Sequence, residues 1–372
     1  MKPAAYSTLL LVSFALGPLA AQQRLAQVNT ETPEGQLLQQ AGQENDPAKK
    51  AALFEDFVAK HGNHEAALWV YSQMQDLYLK ANQFDKALEA GEKIAAKDPK
   101  DLHAQHSTLR AAEGKKDPGL VLKWSASTSQ LARAVAGGTK PADMEDDDWK
   151  ARVTYAKQVD TYAEYSVFAM ILQTTDPAKR VELINGLRSG FPNSQYLPKL
   201  NDIEFNAYRQ LQNNAQAIAT AERVVATDQT SEDMLILLAD YYMQQKREPD
   251  KVIAYSQKVV ELMGSKPKPE GMADGDWENK KKTLSGLASF LAGSTYFNQK
   301  KLKPAEEAFR AALPNVDANE QLRAAVLFYL GLSNYQLGKK KEALAFNEQC
   351  AKIKSPFQAK AADNVRLIRA GK

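Results

Sequence analysis

Cysteine is nearly absent from this chain: Cys350 is the only one in 372 residues, which excludes an internal disulfide and a lipid-modified cysteine behind a leader. Histidine is almost as scarce, with four residues in all, so a metal site built from imidazoles would consume most of them. A dominant charge is missing too, since 48 basic side chains face 45 acidic ones for a formal net charge of +3. That balance argues against a surface dedicated to nucleic acid or anionic membrane, either of which needs a concentrated basic stripe. The short runs Lys280-Lys281-Lys282 and Lys339-Lys340-Lys341 read as solvated clusters on a helix face or an inter-helix turn. No stretch beyond the first residues approaches the roughly 18 uninterrupted apolar side chains of a membrane helix. The motifs of hydrolases and nucleotide enzymes are missing as well. There is no Gly-x-Ser-x-Gly elbow, no His-Glu-x-x-His helix and no phosphate-cradling glycine loop.

The N-terminus does carry an address. Lys2 precedes an apolar run from Leu9 to Leu16 and small residues at Ala20 and Ala21, the three-part pattern of a secretory signal peptide cleaved near Ala21. The expectation is an exported chain, periplasmic or secreted, of bacterial origin. Without Lys2, 47 basic and 45 acidic side chains remain, a net charge of +2.

What the rest of the chain has in abundance is a returning helical punctuation. Leu327-Phe328-Tyr329-Leu330-Gly331 leads through Tyr335 to a turn at Gly338, then Ala343, Asn347, Cys350 and Pro356. Residues 286 to 313 repeat it, with Gly293 at the small position followed by Tyr296, Ala305, Phe309 and Ala312. Tyr71, Met74, Tyr78, Asn82, Ala87 and Pro99 keep the same spacing in residues 68 to 99. Each copy reads as two helices joined by a tight turn, with small residues where they cross.

These copies resemble the tetratricopeptide repeat, a unit of roughly 34 residues. The resemblance covers most of the residues after the leader and implies an all-α fold: a right-handed α-solenoid of about eight helical hairpins with a C-terminal capping helix. Such a stack lets a chain too long for one core accumulate burial from neighbour to neighbour. The expected hairpins are 33–61, 66–97, a degenerate 101–136, 148–190, 193–227, 231–263 and the two clear copies, with Ser355-Pro356 opening the last helix. Cys350 falls where the repeat places a small buried residue and reads as a core thiol.

A longer periodicity lies over the short one. Lys140-Pro-Ala-Asp-Met144-Glu-Asp146-Asp-Asp148-Trp149 and Lys268-Pro-Glu-Gly-Met272-Ala-Asp274-Gly-Asp276-Trp277 are identical at six of ten positions, at an offset of 128 residues. Each copy follows a glycine-containing break and precedes an unusually long helix. Duplication of a multi-hairpin block accounts for it, giving expected regions 1–21, 22–136, 137–263 and 264–372. The acidic residues before each Trp suit a helix N-terminus, where carboxylates cap free amides and oppose the helix dipole. A calcium loop is the sharper alternative, but its later bidentate Glu is not found. The Pro loop, acidic start, Trp and long helix together resemble secreted bacterial tetratricopeptide proteins.

Two features could carry chemistry. His61-Gly-Asn-His64 and His103-Ala-Gln-His106 share one spacing, so the pairs could meet on a metal, although His61 and His64 straddle a turn and no cysteine supports them. The second feature follows from the resemblance: in this family the first helix of each hairpin lines the face that holds a peptide or partner helix. Carried over position by position, that face comprises Leu287, Phe290, Ser294, Phe297 and Asn298, then Phe328, Leu332, Tyr335 and Gln336. In the fifth and sixth hairpins it comprises Asp202, Asn206, Arg209 and Gln210, then Ile236, Asp240, Met243 and Gln244. The aromatic members are either anchors for a partner or ordinary core beneath neighbouring helices. The basic clamp that reads an acidic C-terminus in some members is missing. The expected function is a non-catalytic scaffold or adaptor that binds a protein or peptide partner in the bacterial cell envelope, with no cofactor. The alternative is a soluble ligand- or metal-binding protein using the paired histidines.

Overall fold

The computed structural model describes residues 31–371, and the expected leader lies outside them. Among the described residues there are seventeen α-helices, two short 3-10 turns and no strand. Contacts divide the chain into two compact units, one ending at Leu200 and the other beginning at Asn201. That division falls inside what the sequence reading treats as one central block.

The first unit holds four consecutive hairpins. They are α1 (Pro33–Gln43) with α2 (Pro47–His61), α3 (Ala67–Lys80) with α4 (Phe84–Lys97), α5 (Leu102–Lys115) with α6 (Pro118–Ala136), and α7 (Asp146–Gln173) with α8 (Pro177–Gly190). A 3-10 turn, Leu197–Leu200, closes it. First helices touch first helices, α3 with α5 and α5 with α7, so each hairpin packs on the next in two layers. Phe57, Ile94, Leu109, Ile171, Leu183 and Leu187 fill the space between them and are fully buried.

The second unit continues the scheme with α9 (Asn201–Gln210) and α10 (Asn214–Val225), α11 (Glu232–Gln244) and α12 (Pro249–Ser265), α13 (Asp274–Asn298) and α14 (Leu302–Ala312), and α15 (Glu320–Gln336) and α16 (Lys340–Cys350). A last helix, α17 (Gln358–Arg369), packs on α16, buries only Ala361 and exposes Asp363, Arg366 and Arg369 as a cap does, with Leu367 the one large apolar side chain it leaves exposed. The hairpins expected from the sequence are all present, and their pairing is that of the tetratricopeptide repeat. A close helix crossing explains one small residue. A Cβ on Gly293 of α13 would lie 2.8 Å from the Phe309 ring of α14, so only glycine lets the two helices approach this far.

The hairpin turns are of two kinds. In α1–α2 and α7–α8 the chain leaves the first helix extended and re-enters at Asp46-Pro47 or Asp176-Pro177. The Asp carboxylate accepts from amides of the new first turn, and proline's fixed φ suits the first helical position. In five other hairpins the turn passes through positive φ, at Asn82, at Gln212, at Lys246 and Glu248 together, at Lys300 and at Gly338. The α5–α6 turn combines both devices, with Lys116 at positive φ before Asp117-Pro118.

The duplicated segment differs from expectation at its acidic residues. The long helices start earlier than expected, at Asp146 and Asp274, behind Glu145 and Ala273, and neither of those two residues makes a side-chain cap. Asp146 and Asp274 sit inside the first turn, where they oppose the helix dipole. Each pairs with the lysine six residues earlier, Lys140 and Lys268. The two copies are therefore alike in structure as well as sequence. Cys350 is fully buried, its Sγ 3.3 Å from the Ala324 carbonyl, and burial pushes the thiol up to about 11.

Candidate partner-binding faces

The first-helix face of the second unit carries the residues singled out from sequence, and packing sorts them into two groups. Tyr329 of α15 wedges against α13 and α14, stacking on Phe309 at 5.6 Å and meeting Phe297 at 5.4 Å and Phe290 at 6.2 Å. Phe290 and Phe297 are thus half-buried in an aromatic cluster. Phe328 is only 8% exposed, held against Phe357 at 5.0 Å in the core under the capping helix. Its ring is withdrawn from any groove, because the segment leading into α17 covers it. Ser294 is buried too, and Leu287 is half-buried.

Leu332, Tyr335 and Gln336 remain at the surface, and two of them do converge. Leu332 and Tyr335 line a cavity of about 130 Å³ whose far wall is Leu367 and Ile368 of α17. Its floor is polar but satisfied: Asn364 Nδ2 donates to Asn347 Oδ1 at 3.0 Å, and Asn347 Nδ2 donates to the Ala343 carbonyl at 2.8 Å. Tyr335 and Leu367 are among the few large apolar side chains left exposed. Asn298 belongs elsewhere, beside Met243 in a cavity of about 390 Å³ rimmed by Lys246 and Arg247. Of the other positions named in α9 and α11, Asp202 accepts from Ser231, Asp240 accepts from Gln244, Arg209 stands over the Phe205 ring and Ile236 is core, while Asn206 and Gln210 are exposed.

The first unit presents a face that the sequence reading missed. On α7, Tyr165 and Leu172 are about half exposed, and Phe168 stacks on Tyr196 at 4.3 Å with Tyr165 at 6.2 Å from the same ring. Together they form an aromatic ridge. The opposite flank of α7 closes onto α5, where Tyr162 donates to the Glu113 carboxylate and the Tyr155 hydroxyl lies 3.1 Å from His106 Nδ1. Burial raises the Glu113 carboxyl to about 6, in spite of the Tyr162 hydrogen bond and the Arg110 charge. Burial, with the positive charges of Arg110 and His103 nearby, lowers His106 to about 3. A signal for the ridge does exist in the residues. Tyr165, Phe168 and Leu172 recur on one side of α7, apart from the buried stripe Ala156, Val159, Ala163 and Val167.

The paired histidines do not assemble a site. His61 and His64 both pack on the Phe57 ring, and His64 Nδ1 accepts from the Ala66 amide. His103 turns to Asp76, 3.5 Å away, while His106 faces Tyr155 and Tyr162. Among the described residues no three His, Cys, Asp or Glu side chains are grouped to hold a metal ion. Nor is any helix among them long and apolar enough to cross a membrane.

No family model matches the chain, and no curated protein does. Solved structures similar to it include the Cut9–Hcn1 hetero-tetramer of the APC/C, at 12% identity and a TM-score of 0.34, covering 91% of this chain and 56% of that one. The TPR domain of P58(IPK) is similar at 11% identity and a TM-score of 0.26, covering 91% of this chain and 98% of its own. The chain thus spans little more than half the length of the Cut9 chain. The tetratricopeptide character of the fold rests on the hairpins themselves.

Proposed function

We propose that the chain is a non-catalytic scaffold that holds a protein or peptide partner on the first-helix faces of its hairpins, in the bacterial cell envelope to which its N-terminal pattern would direct it. One observation carries this reading. Among the described residues six large apolar side chains are exposed, and four of them, Tyr165, Leu172, Tyr335 and Leu367, fall on the two faces just described. Scattered apolar residues on a surface need no explanation, but their convergence beside half-buried rings is the composition of a partner-binding patch.

The binding test is capture of partners from an envelope extract by the wild-type chain and by a Leu332→Ser, Tyr335→Ser, Leu367→Ser variant whose helicity is unchanged. A partner held by wild type and lost, or weakened at least about tenfold, in the variant supports the reading, as anchors in such patches are each worth 1–2 kcal/mol or more. Equal capture by that variant and by a Tyr165→Ser, Leu172→Ser variant would remove both faces from the function.

A further inference from the structure

The two faces are not chemically equivalent, and the difference bears on what the first unit would receive. The cleft of the second unit is apolar over a satisfied polar floor. The ridge of the first unit has a carboxylate set into it. Glu164 precedes Tyr165 on α7, and its Oε1 is shielded from solvent with no hydrogen-bond partner. Burial and the Glu164 charge both raise the Tyr196 phenol, so the carboxylate acts directly on the ridge. Glu113 on the other flank is already engaged by Tyr162 and by the Arg110 charge, whereas among the described residues no lysine or arginine pairs with Glu164.

Rings that carry negative charge on their faces, beside a carboxylate with an unmet acceptor, complement a cation. The chain itself supplies an example: Lys199 Nζ stands 5.5 Å from the centre of the Tyr196 ring. An ammonium on a flexible stem makes only the ring contact. A guanidinium could lie flat on Tyr165 or Tyr196 while its fork donates to Glu164, which satisfies both halves of the site at once.

Resting on the scaffold reading above, we propose that the Tyr165, Phe168 and Tyr196 ridge with Glu164 is a docking site for an arginine side chain on an extended segment of the partner. The rings supply the stacking surface and Glu164 the directional contact. Lys199, exposed and held by the ring alone, moves aside when the guanidinium enters.

The test is a random-peptide display selection on the whole chain, run in parallel on wild type, on the near-isosteric Glu164→Gln variant and on Tyr165→Ser, Tyr196→Ser, each checked for unchanged helicity. Recovered peptides are then compared with copies in which the arginine is replaced by citrulline, which keeps the shape and loses the charge. The expected result is an arginine-rich wild-type pool, an arginine preference lost on Glu164→Gln, and binding about tenfold weaker for the citrulline copies. A pool that binds the wild-type ridge without arginine, or citrulline copies that bind equally, overturns the arginine site and leaves the scaffold reading standing. A wild-type pool no different from that of the ridge variant overturns the site as well. If none of its peptides depends on Tyr335 or Leu367 either, the scaffold reading falls with it.

Discussion

Glu113 and His106 lie two turns apart on α5, where they meet Tyr162 and Tyr155 of α7, and burial perturbs them in opposite senses. The folded Glu113 carboxyl titrates at about 6, above its ordinary range, so the fold binds this proton more tightly than the unfolded chain does. Its contribution to stability is complete below the ordinary carboxylate pKa and is lost as pH rises through about 6, amounting to at most about 2 kcal/mol. His106, lowered to about 3, stays neutral in the fold while the unfolded chain takes up a proton below about 6.5. Its contribution is present at neutral pH and is lost progressively as pH falls below that value. Between about pH 6.5 and 4.5 the two oppose one another. Glu113→Gln therefore leaves the histidine loss uncompensated, and this variant should lose more melting temperature than wild type between pH 7 and pH 5. His106→Gln should lose less. Thermal unfolding followed by circular dichroism at the two pH values decides it, and three parallel profiles would mean that neither group is perturbed as described.

At the scale of helices and turns, the sequence and the structure agree wherever a backbone rule is local. Asp46-Pro47 and Asp176-Pro177 mark helix starts because the carboxylate and the proline act within one turn. Gly338 marks a turn because it sits at positive φ. Gln212 and Lys300 occupy the same kind of position without glycine's freedom, and nothing in their side chains announces it. Gln212→Gly should accordingly stabilise the protein by about 0.5–1 kcal/mol, and Gly338→Ala should destabilise it by a similar or larger amount. Chemical denaturation of both variants checks the pair, and a loss of stability in Gln212→Gly would contradict the assignment of that turn. What the sequence could not show was which rings the neighbours cover. Phe328 and Tyr335 lie on the same helix, and only the arrival of Phe357 and α17 buries the first and leaves the second beside an open cleft. The ridge on α7 was hidden for the complementary reason. A helix with aromatic residues on several sides reads as core until its packing partners are known.

Taken whole, the molecule repeats one solution to one problem. Each hairpin is too small to bury its own apolar face and does so against the next. The first-helix layers of both units keep a few large apolar side chains that no neighbour covers, and these are the residues assigned to the partner. Site-specific photocrosslinking tests that assignment most directly, with a photoreactive phenylalanine placed in turn at Tyr165, at Tyr335 and at Val260. Val260 is also exposed but lies in a groove lined by α12, α13 and α14. The account predicts partner adducts from position 165, position 335 or both in an envelope extract, and none from position 260. Adducts from position 260 alone would contradict it and move the binding surface to the other side of the hairpins.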